Sequence, residues 1–583
     1  VSGPQQRWRQ QLTRLLEAQR VRVSSAEALP QFAVLGVICG ILAALVMMAF
    51  RGLIDLGQSL LIGRPDAFEA LPLEWRFALP IIGALIVALI FSRLSDLARN
   101  VGVVHVLERL AYHQARLPLR SAVVQFVSAA LLLIFGLSVG REGPAVHLGA
   151  ASASLTGQFL RLPNNSLRIL AGCGVAAAIA ASFNTPLAGV AFAMEVVLME
   201  YTVVGFAPVI LAAVSATAVT RMAYGAAPAF AVPALTMNSL WELPYVLAMG
   251  LVIGLLAATF VAMVDRTARH TKTWPFWLRA MAAGVLTGVL AMPAPEIMGV
   301  GYDTVNATLL GTVAVSTLVL IVVFKLLATG LTIGLGMPGG LIGPLVVIGA
   351  AAGAGLGVLG GWLVPAHASS PTLYALIGLG AMMAGALHAP LAALTAMLEL
   401  TGNPNIIWPG MLAVIAAYGV SRVAFRQQPM FITLMRARGL DYHHDPILQT
   451  LRRIGVAAVM DSHVVALPRQ AARRAVESAL SGNPAWILVQ GSERPVALLS
   501  AMDLARQLME APQAQILDLL ELPADRLQLA GVALEATLQE ALEIMDAQNV
   551  DALYVARISD YDGDSAYGVL TRADIHKHYR YGS

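Results

Sequence analysis

Two short words, Gly140-Arg-Glu-Gly-Pro144 and Gly340-Leu-Ile-Gly-Pro344, lie inside apolar stretches that would otherwise run on as helix. Each breaks the chain and restarts it at a proline. A restarted helix opens with three or four N–H groups that have no intrahelical partner. With the positive end of the helix macrodipole, those groups attract an anion without the tight hold of a full cation. A cation path would want inward-facing carboxylates or carbonyls, so these words favour a negative ligand. Glu142 is the unusual member, because a carboxylate at membrane depth is costly. At a helix start it can take the anion's own place, blocking when ionised and leaving when protonated. A plain helix cap, or a pair with Arg141, is the competing account, and Arg141 itself suits snorkelling or carbonyl contacts more than contact with the ion.

The elements that must position these residues repeat along the chain. SFNTPLAGVAFAMEV (182–196) is similar to GALHAPLAALTAMLEL (385–400). Pro144 and Pro344 are 200 residues apart, Pro186 and Pro390 are 204 apart, and each half carries a glutamate nine residues after its second proline, Glu195 and Glu399. A two-fold repeat with helices interrupted at matching places points to transport, with the site at the repeat interface. Glu195 and Glu399 read as interhelical structural groups. His105, His147 and His388 read as hydrogen-bonded packing residues, since they form no metal-ligand spacing.

Of the 583 residues, 57% are hydrophobic and 13% charged, and the mean hydropathy is +0.71. A water-soluble surface of that size would need more charge, so the chain is a polytopic membrane protein. Apolar runs recur at about 31–50, 77–92, 121–139, 166–198, 204–220, 244–264, 280–293, 308–328, 329–364, 372–399 and 405–424, against the roughly 20 residues that one span needs. Several are too long for one helix or too short to cross. That pattern fits helices that break within the membrane beside a water-lined cavity. A net charge of +3, thinly spread, argues against a nucleic-acid partner. Cys39 and Cys173 lie in apolar runs and suit packing, with neither a disulfide framework nor a metal site in view. An intramembrane protease would need paired aspartates, a Ser/His pair or His-Glu-x-x-His in the spans, and a magnesium channel would need clustered carboxylates. The spans offer neither, so no enzymatic chemistry and no required cofactor are expected. The basic segment at 1–29, with an amphipathic helix at 8–22, is expected on the cytoplasmic face of the cell (inner) membrane by the positive-inside bias.

GREGP at 140–144, FNTPLAG at 183–189 and GGLIGP at 339–344, in this order and spacing, resemble signature segments of the CLC chloride channels and chloride/proton antiporters. The resemblance covers most of residues 30–440. It implies an all-α polytopic domain of two inverted repeats, about 30–225 and 240–440, in a homodimer with one pore per subunit. It also implies that Glu142 is the gating glutamate and that Leu341 and Ile342 give backbone N–H groups to the ion. Gly102, Val103, Arg141, Gly143 and Phe431 complete the expected anion-binding set. Three positions depart from the family pattern. Gly102, in Val101-Gly102-Val103-Val104-His105, stands where a serine is usual; Phe431, in QPMFITLM, stands where a tyrosine faces the central anion; Val196 stands where antiporters carry an inner proton-relay glutamate. Two hydroxyl donors and a relay are thus missing. Chloride transport that is channel-like, or coupled to protons by an atypical path, is the leading expectation, and bicarbonate, nitrate or fluoride is the alternative cargo.

The composition changes after a linker at 441–455. Residues 456–583 carry 10 basic and 17 acidic side chains and read as soluble α/β. Strands are expected at 485–490, 497–500, 552–557 and 567–570, and helices at 470–480, 501–511 and 536–547. Two similar units, about 456–512 and 523–583, end in ALLSAMD (497–503) and GVLTRAD (568–574) and resemble a tandem pair of cytoplasmic CBS domains. Asp503 and Asp574 suit ribose hydroxyls, and Ser500 and Thr571 suit phosphate, so ATP, ADP or AMP is the expected ligand. Thr571 and Asp574 should matter more, since Gly568 would give closer backbone access. A Ser/Thr-to-Asp cap inside a purely structural dimerisation module is the alternative.

Overall fold

The computed structural model describes residues 28–200, 203–230, 235–363, 368–440, 446–491, 494–510, 515–556 and 566–580. The amphipathic segment expected at 8–22 lies outside them. The described residues fall into two compact units, one within Phe32–Gln158 and Arg168–Tyr442, the other within Val1–Gln31, Phe159–Leu167 and His443–Ser583.

The larger unit is helical. Its first half runs through α1 (Leu29–Ile62), α2 (Leu73–Ser92), α3 (Val103–Tyr112), α4 (Leu119–Ile134), α5 (Glu142–Phe159), α6 (Asn164–Phe183), α7 (Pro186–Phe192) and α8 (Val203–Tyr224). The second half runs through α9 (Leu243–His270), α10 (Phe276–Ala291), α11 (Tyr302–Leu309), α12 (Val315–Gly334), α13 (Ile342–Leu363), α14 (Pro371–Leu387), α15 (Pro390–Thr401), α16 (Ile407–Gly419) and α17 (Met430–Ala437). Eight helices among the described residues are long and apolar enough to cross a membrane.

Proline decides where the long apolar runs break. The run at 166–198 divides at Asn184, which is left-handed with φ +60°, before Pro186 opens α7. The run at 372–399 divides the same way at His388, φ +56°, before Pro390 opens α15. Thr185 and Ala389, the residues preceding each proline, are held out of the helical region, so each helix stops and restarts. The 12 residues of α15 give a rise of roughly 18 Å, short of the ~30 Å hydrocarbon core.

The two signature words meet. Gly140 and Gly340 form an antiparallel bridge in which each N–H donates to the other's carbonyl, at 2.6 and 2.7 Å. A Cβ on Gly340 would lie 2.5 Å from the Gly143 nitrogen, so no larger residue lets the two breaks approach. Helix packing repeats as well. A Cβ on Gly149 would sit 2.2 Å from the Gly174 carbonyl oxygen, and one on Gly349 would sit 2.5 Å from that of Gly378. Small residues let backbones touch where lipid offers no hydrophobic drive for association. Cys39 and Cys173 are buried and free.

The smaller unit contains α18 (Pro446–Arg453), β1 (Val464–Pro468), β2 (Gln470–Ala472), α19 (Arg473–Ser481), β3 (Trp486–Gln490), β4 (Pro495–Ser500), α20 (Ala501–Glu510), β5 (Ile516–Asp518), β6 (Arg526–Ala533), α21 (Leu538–Gln548), β7 (Ala552–Ala556), β8 (Gly568–Thr571) and α22 (Arg572–Arg580). A six-stranded sheet has the order β1-β3-β4-β6-β7-β8, and β2 pairs with β5. In each half a parallel pair (β1 with β3, β6 with β7) is followed by an antiparallel strand, and β4 to β6 joins the halves. Two expectations change. Residues 441–455 are not all linker: α18 buries Leu451 completely against Val456, Leu538 and Ile575, because its apolar face completes the second core. The helix expected at 470–480 starts as β2, whose edge is taken by β5. Strands β1 and β6 were not anticipated.

Candidate functional site

Four short or interrupted helices converge by their N-termini. Gly102, φ +85°, sits immediately before α3 and turns the chain into it, a conformation that favours glycine over the serine expected there. The starts of α5 and α13 are brought together by the Gly140–Gly340 bridge, and α17 brings Phe431 on its second residue.

A cavity of about 640 Å³ unites five of the expected anion-binding residues: Gly102, Val103, Gly143, Leu341 and Phe431. Among the described residues Arg99, Lys272, Arg279 and Arg438 also line it, against the single carboxylate of Glu108. Such a balance raises the local concentration of anions. Phe431 packs edge-on against Phe192, with ring centroids 6.4 Å apart, and offers a ring edge where a hydroxyl was expected.

Beyond the cavity lies Glu142, fully buried. Its Oε2 accepts the Gly343 N–H at 3.0 Å, at the open start of α13. Its Oε1 accepts the Tyr302 hydroxyl. The carboxylate therefore occupies a helix N-terminus, the environment expected for an anion. Ile342 shares this helix start, with its side chain in an apolar pocket beside Phe183 and Val346.

Arg141, placed in the expected anion-binding set but better suited to carbonyls, does not line the cavity. Its guanidinium donates to the Ser182 carbonyl at 3.2 Å and stands 5.0 Å over the Tyr302 ring. Val196 is buried in a widened turn, Ala193–Leu198, and presents no titratable group. Glu195 beside it accepts from the Leu391 and Ala392 N–H groups at 3.3 and 2.9 Å, and Glu399 accepts from Leu187 and Ala188 at 3.0 and 2.8 Å. Of the histidines, His105 Nδ1 lies 3.3 Å from Glu108 and His388 Nε2 lies 3.0 Å from Ser421, whereas His147 is not hydrogen-bonded as expected: among the described residues neither ring nitrogen has a partner, and it packs against the His105 ring at 5.4 Å.

Two further polar side chains near Glu142 carry no signal in the words singled out above. Tyr302 could have been found from the word Val300-Gly301-Tyr302, which repeats Val101-Gly102-Val103 at a spacing of 199 and shares its left-handed glycine, φ +85° in both. Lys325 is fully buried on α12 and donates to the Ile297 and Gly299 carbonyls, each at 2.9 Å. A lone lysine in an apolar run gave no sign of these partners, which come from a distant turn.

In the smaller unit, Thr571 and Asp574 are committed to each other. The Thr571 hydroxyl donates to Asp574 Oδ2 at 2.6 Å, and its N–H does so at 3.2 Å. Gly568 gives no access, because a Cβ there would meet the Asp461 carbonyl oxygen at 2.6 Å, where β8 bridges to Asp461. The greater weight expected for this half is therefore not supported by its geometry. Asp503 instead borders a cavity of about 450 Å³ with Arg506 and Arg526, and pairs with Arg506 at 3.1 Å. Ser500 ends β4, half-buried, just ahead of it.

A family model described as voltage gated chloride channel matches residues 83–422. A putative chloride channel protein, ClcB-like, of Ralstonia nicotianae is 32% identical over 389 residues, 65% of this chain and 91% of the relative. The H(+)/Cl(-) exchange transporter ClcA of Salmonella paratyphi B is 27% identical over 70% of this chain and 89% of its own. The crystal structure of a eukaryotic CLC transporter shares the fold over 94% of this chain and 99% of that one, with a TM-score of 0.59 at 20% identity.

Proposed function

The chain belongs to the voltage gated chloride channel family, and from that premise we propose that it carries chloride between the basic cavity and Glu142, with Glu142 as the gate. The observation that carries this reading is the Glu142 carboxylate lodged on the Gly343 N–H at the start of α13. An ionised carboxylate there is a tethered competitor for the anion, and protonation removes its charge and its claim on the donor. The Glu142 end faces the exterior, the cavity end faces the cytoplasm, and the protein works as a homodimer in the cell membrane with its tail in the cytoplasm.

Transport is channel-like or loosely coupled. A valine at 196 can neither hold nor pass a proton, and Glu195 is spent on the start of α15. Another small anion, such as bicarbonate, nitrate or fluoride, is favoured to the extent that Gly102 and Phe431 bring no hydroxyl to the cavity. The tail is a CBS-type pair that takes an adenine nucleotide, a reading supported by its two three-strand halves and by the arginines beside Asp503.

Anion efflux from proteoliposomes with simultaneous pH recording tests the reading. Acidification should raise wild-type flux, Glu142→Gln should remove the steep acid limb of that dependence, and an anion gradient should drive no sustained uphill proton movement. A steep acid limb retained in Glu142→Gln would place the gate elsewhere. A fixed anion-to-proton ratio would show that the channel-like reading is wrong.

A further inference from the structure

We propose that the Tyr302 hydroxyl is a shared donor at the gate: it latches the Glu142 carboxylate in the closed state, then donates to the transported anion once Glu142 has left. The proposal rests on the reading of Glu142 as the gate and adds a residue to it.

A carboxylate oxygen and a halide ask the same thing of a site, a few convergent donors and little bare positive charge. Glu142 finds two, the Gly343 N–H at 3.0 Å and the Tyr302 O–H. Neither moves with the glutamate. The first belongs to the start of α13. The second is fixed by its ring, which packs against Phe183 and Phe230 at centroid distances of 5.8 and 5.9 Å and lies beneath the Arg141 guanidinium. When the Glu142 side chain swings out, both donors still face the vacated position. An anion entering it replaces the two lost hydrogen bonds one for one, and no proton has to move from Tyr302.

The placement follows from the repeat. The first half aims Gly102 and Val103 into the cavity with no hydroxyl. The second half aims Gly301 and Tyr302 at the equivalent turn, so the hydroxyl missing at Gly102 and Phe431 is supplied from the opposite end of the path.

The charged and titratable groups around the pair are Arg141 before α5, Asp303 on α11, Lys325 on α12, Asp66 and Glu69 between α1 and α2, and Glu296 before α11. Tyr302→Phe leaves all of them in place, so a change in pH response belongs to the hydroxyl.

The test is chloride efflux from proteoliposomes of the full chain across pH, for wild type, Tyr302→Phe, Glu142→Gln and the double variant. Losing a donor to an ionised group frees Glu142 at higher pH, so Tyr302→Phe should move the midpoint of acid activation up by about one pH unit. In the Glu142→Gln background, where the competitor carries no charge, Tyr302→Phe should raise the half-saturating chloride concentration about tenfold. An unmoved midpoint in Tyr302→Phe, with the steep acid limb absent from Glu142→Gln, overturns the latch alone. Equal half-saturation with and without the hydroxyl overturns the anion contact. A Glu142→Gln profile that matches wild type overturns the gate, and the latch with it. Should Tyr302→Phe fail to assemble, 3-fluorotyrosine at 302 is a stronger donor and must move the midpoint down; an unmoved or raised midpoint counts against the proposal.

Discussion

Glu69 shows how a single residue outside the spanning helices can add to the pH response. It lies in the turn Phe68–Ala70, where burial and, next, the neighbouring Asp303 push its carboxyl up to about 7. Above that pH it is ionised and below it neutral. Lys325, which faces Asp66, Glu69, Asp303 and Glu142 together, partly balances this cluster from within. A negative charge arriving near the path repels an anion, so flux should rise as pH falls through about 7, on top of the steeper effect of Glu142. Glu69→Gln is therefore expected to raise flux at pH 8 and flatten the profile between pH 6 and 8, leaving the acid limb intact, on the order of a twofold change. Stopped-flow efflux measured at both pH values is the check, and an unchanged ratio between them would count against a role for Glu69.

At the scale of elements, the two short helices after the breaks hold each other's starts. Glu195 follows α7 and accepts from the first free N–H groups of α15, while Glu399 on α15 accepts from those of α7. Each carboxylate satisfies two donors that would otherwise lie unpaired in an apolar setting and sits at the positive end of the partner helix. The exchange couples the halves at a second place besides the Gly140–Gly340 bridge. Glu399→Gln keeps one acceptor and loses the charge. It should cost about 1–2 kcal/mol, seen as a lower melting temperature in detergent, with anion selectivity unchanged. Glu195→Gln should behave alike, because the arrangement is symmetric. A selectivity change without destabilisation would give these residues a transport role instead.

For the whole molecule, the contrast is between a helical membrane unit whose candidate anion site gathers helix starts and a tail unit built on one six-stranded sheet. In the tail Thr571 and Asp574 close on each other, whereas Asp503 of the first half borders a cavity carrying Arg506 and Arg526. Arginine forks suit phosphate, and Asp503 suits ribose hydroxyls. Calorimetry on the full chain should therefore show heat with ATP, ADP or AMP, weakened about tenfold by Asp503→Asn and far less by Asp574→Asn. Absence of heat from the wild-type protein would leave the tail as a structural module.

Much of this was legible in local sequence. Proline and glycine limit their own backbone angles, so Gly140–Pro144, Gly340–Pro344, Pro186 and Pro390 marked the breaks without reference to any partner. Glu142 stood out because a carboxylate amid apolar residues is expensive whatever surrounds it, and the strands β3, β4, β7 and β8 carried compact apolar runs. Tertiary structure alone decided which groups those residues meet. Tyr302 and Glu142 are 160 positions apart, and their contact exists only because the start of α11 is aimed at the start of α5. Arg141 left the expected anion set because the Ser182 carbonyl and the Tyr302 ring claim it. Thr571 turned inward because Asp574 is one helical turn away. Hydrogen bonds are short-ranged and directional, so a partner is chosen by where the folded chain delivers a donor, and residue type alone does not carry that information.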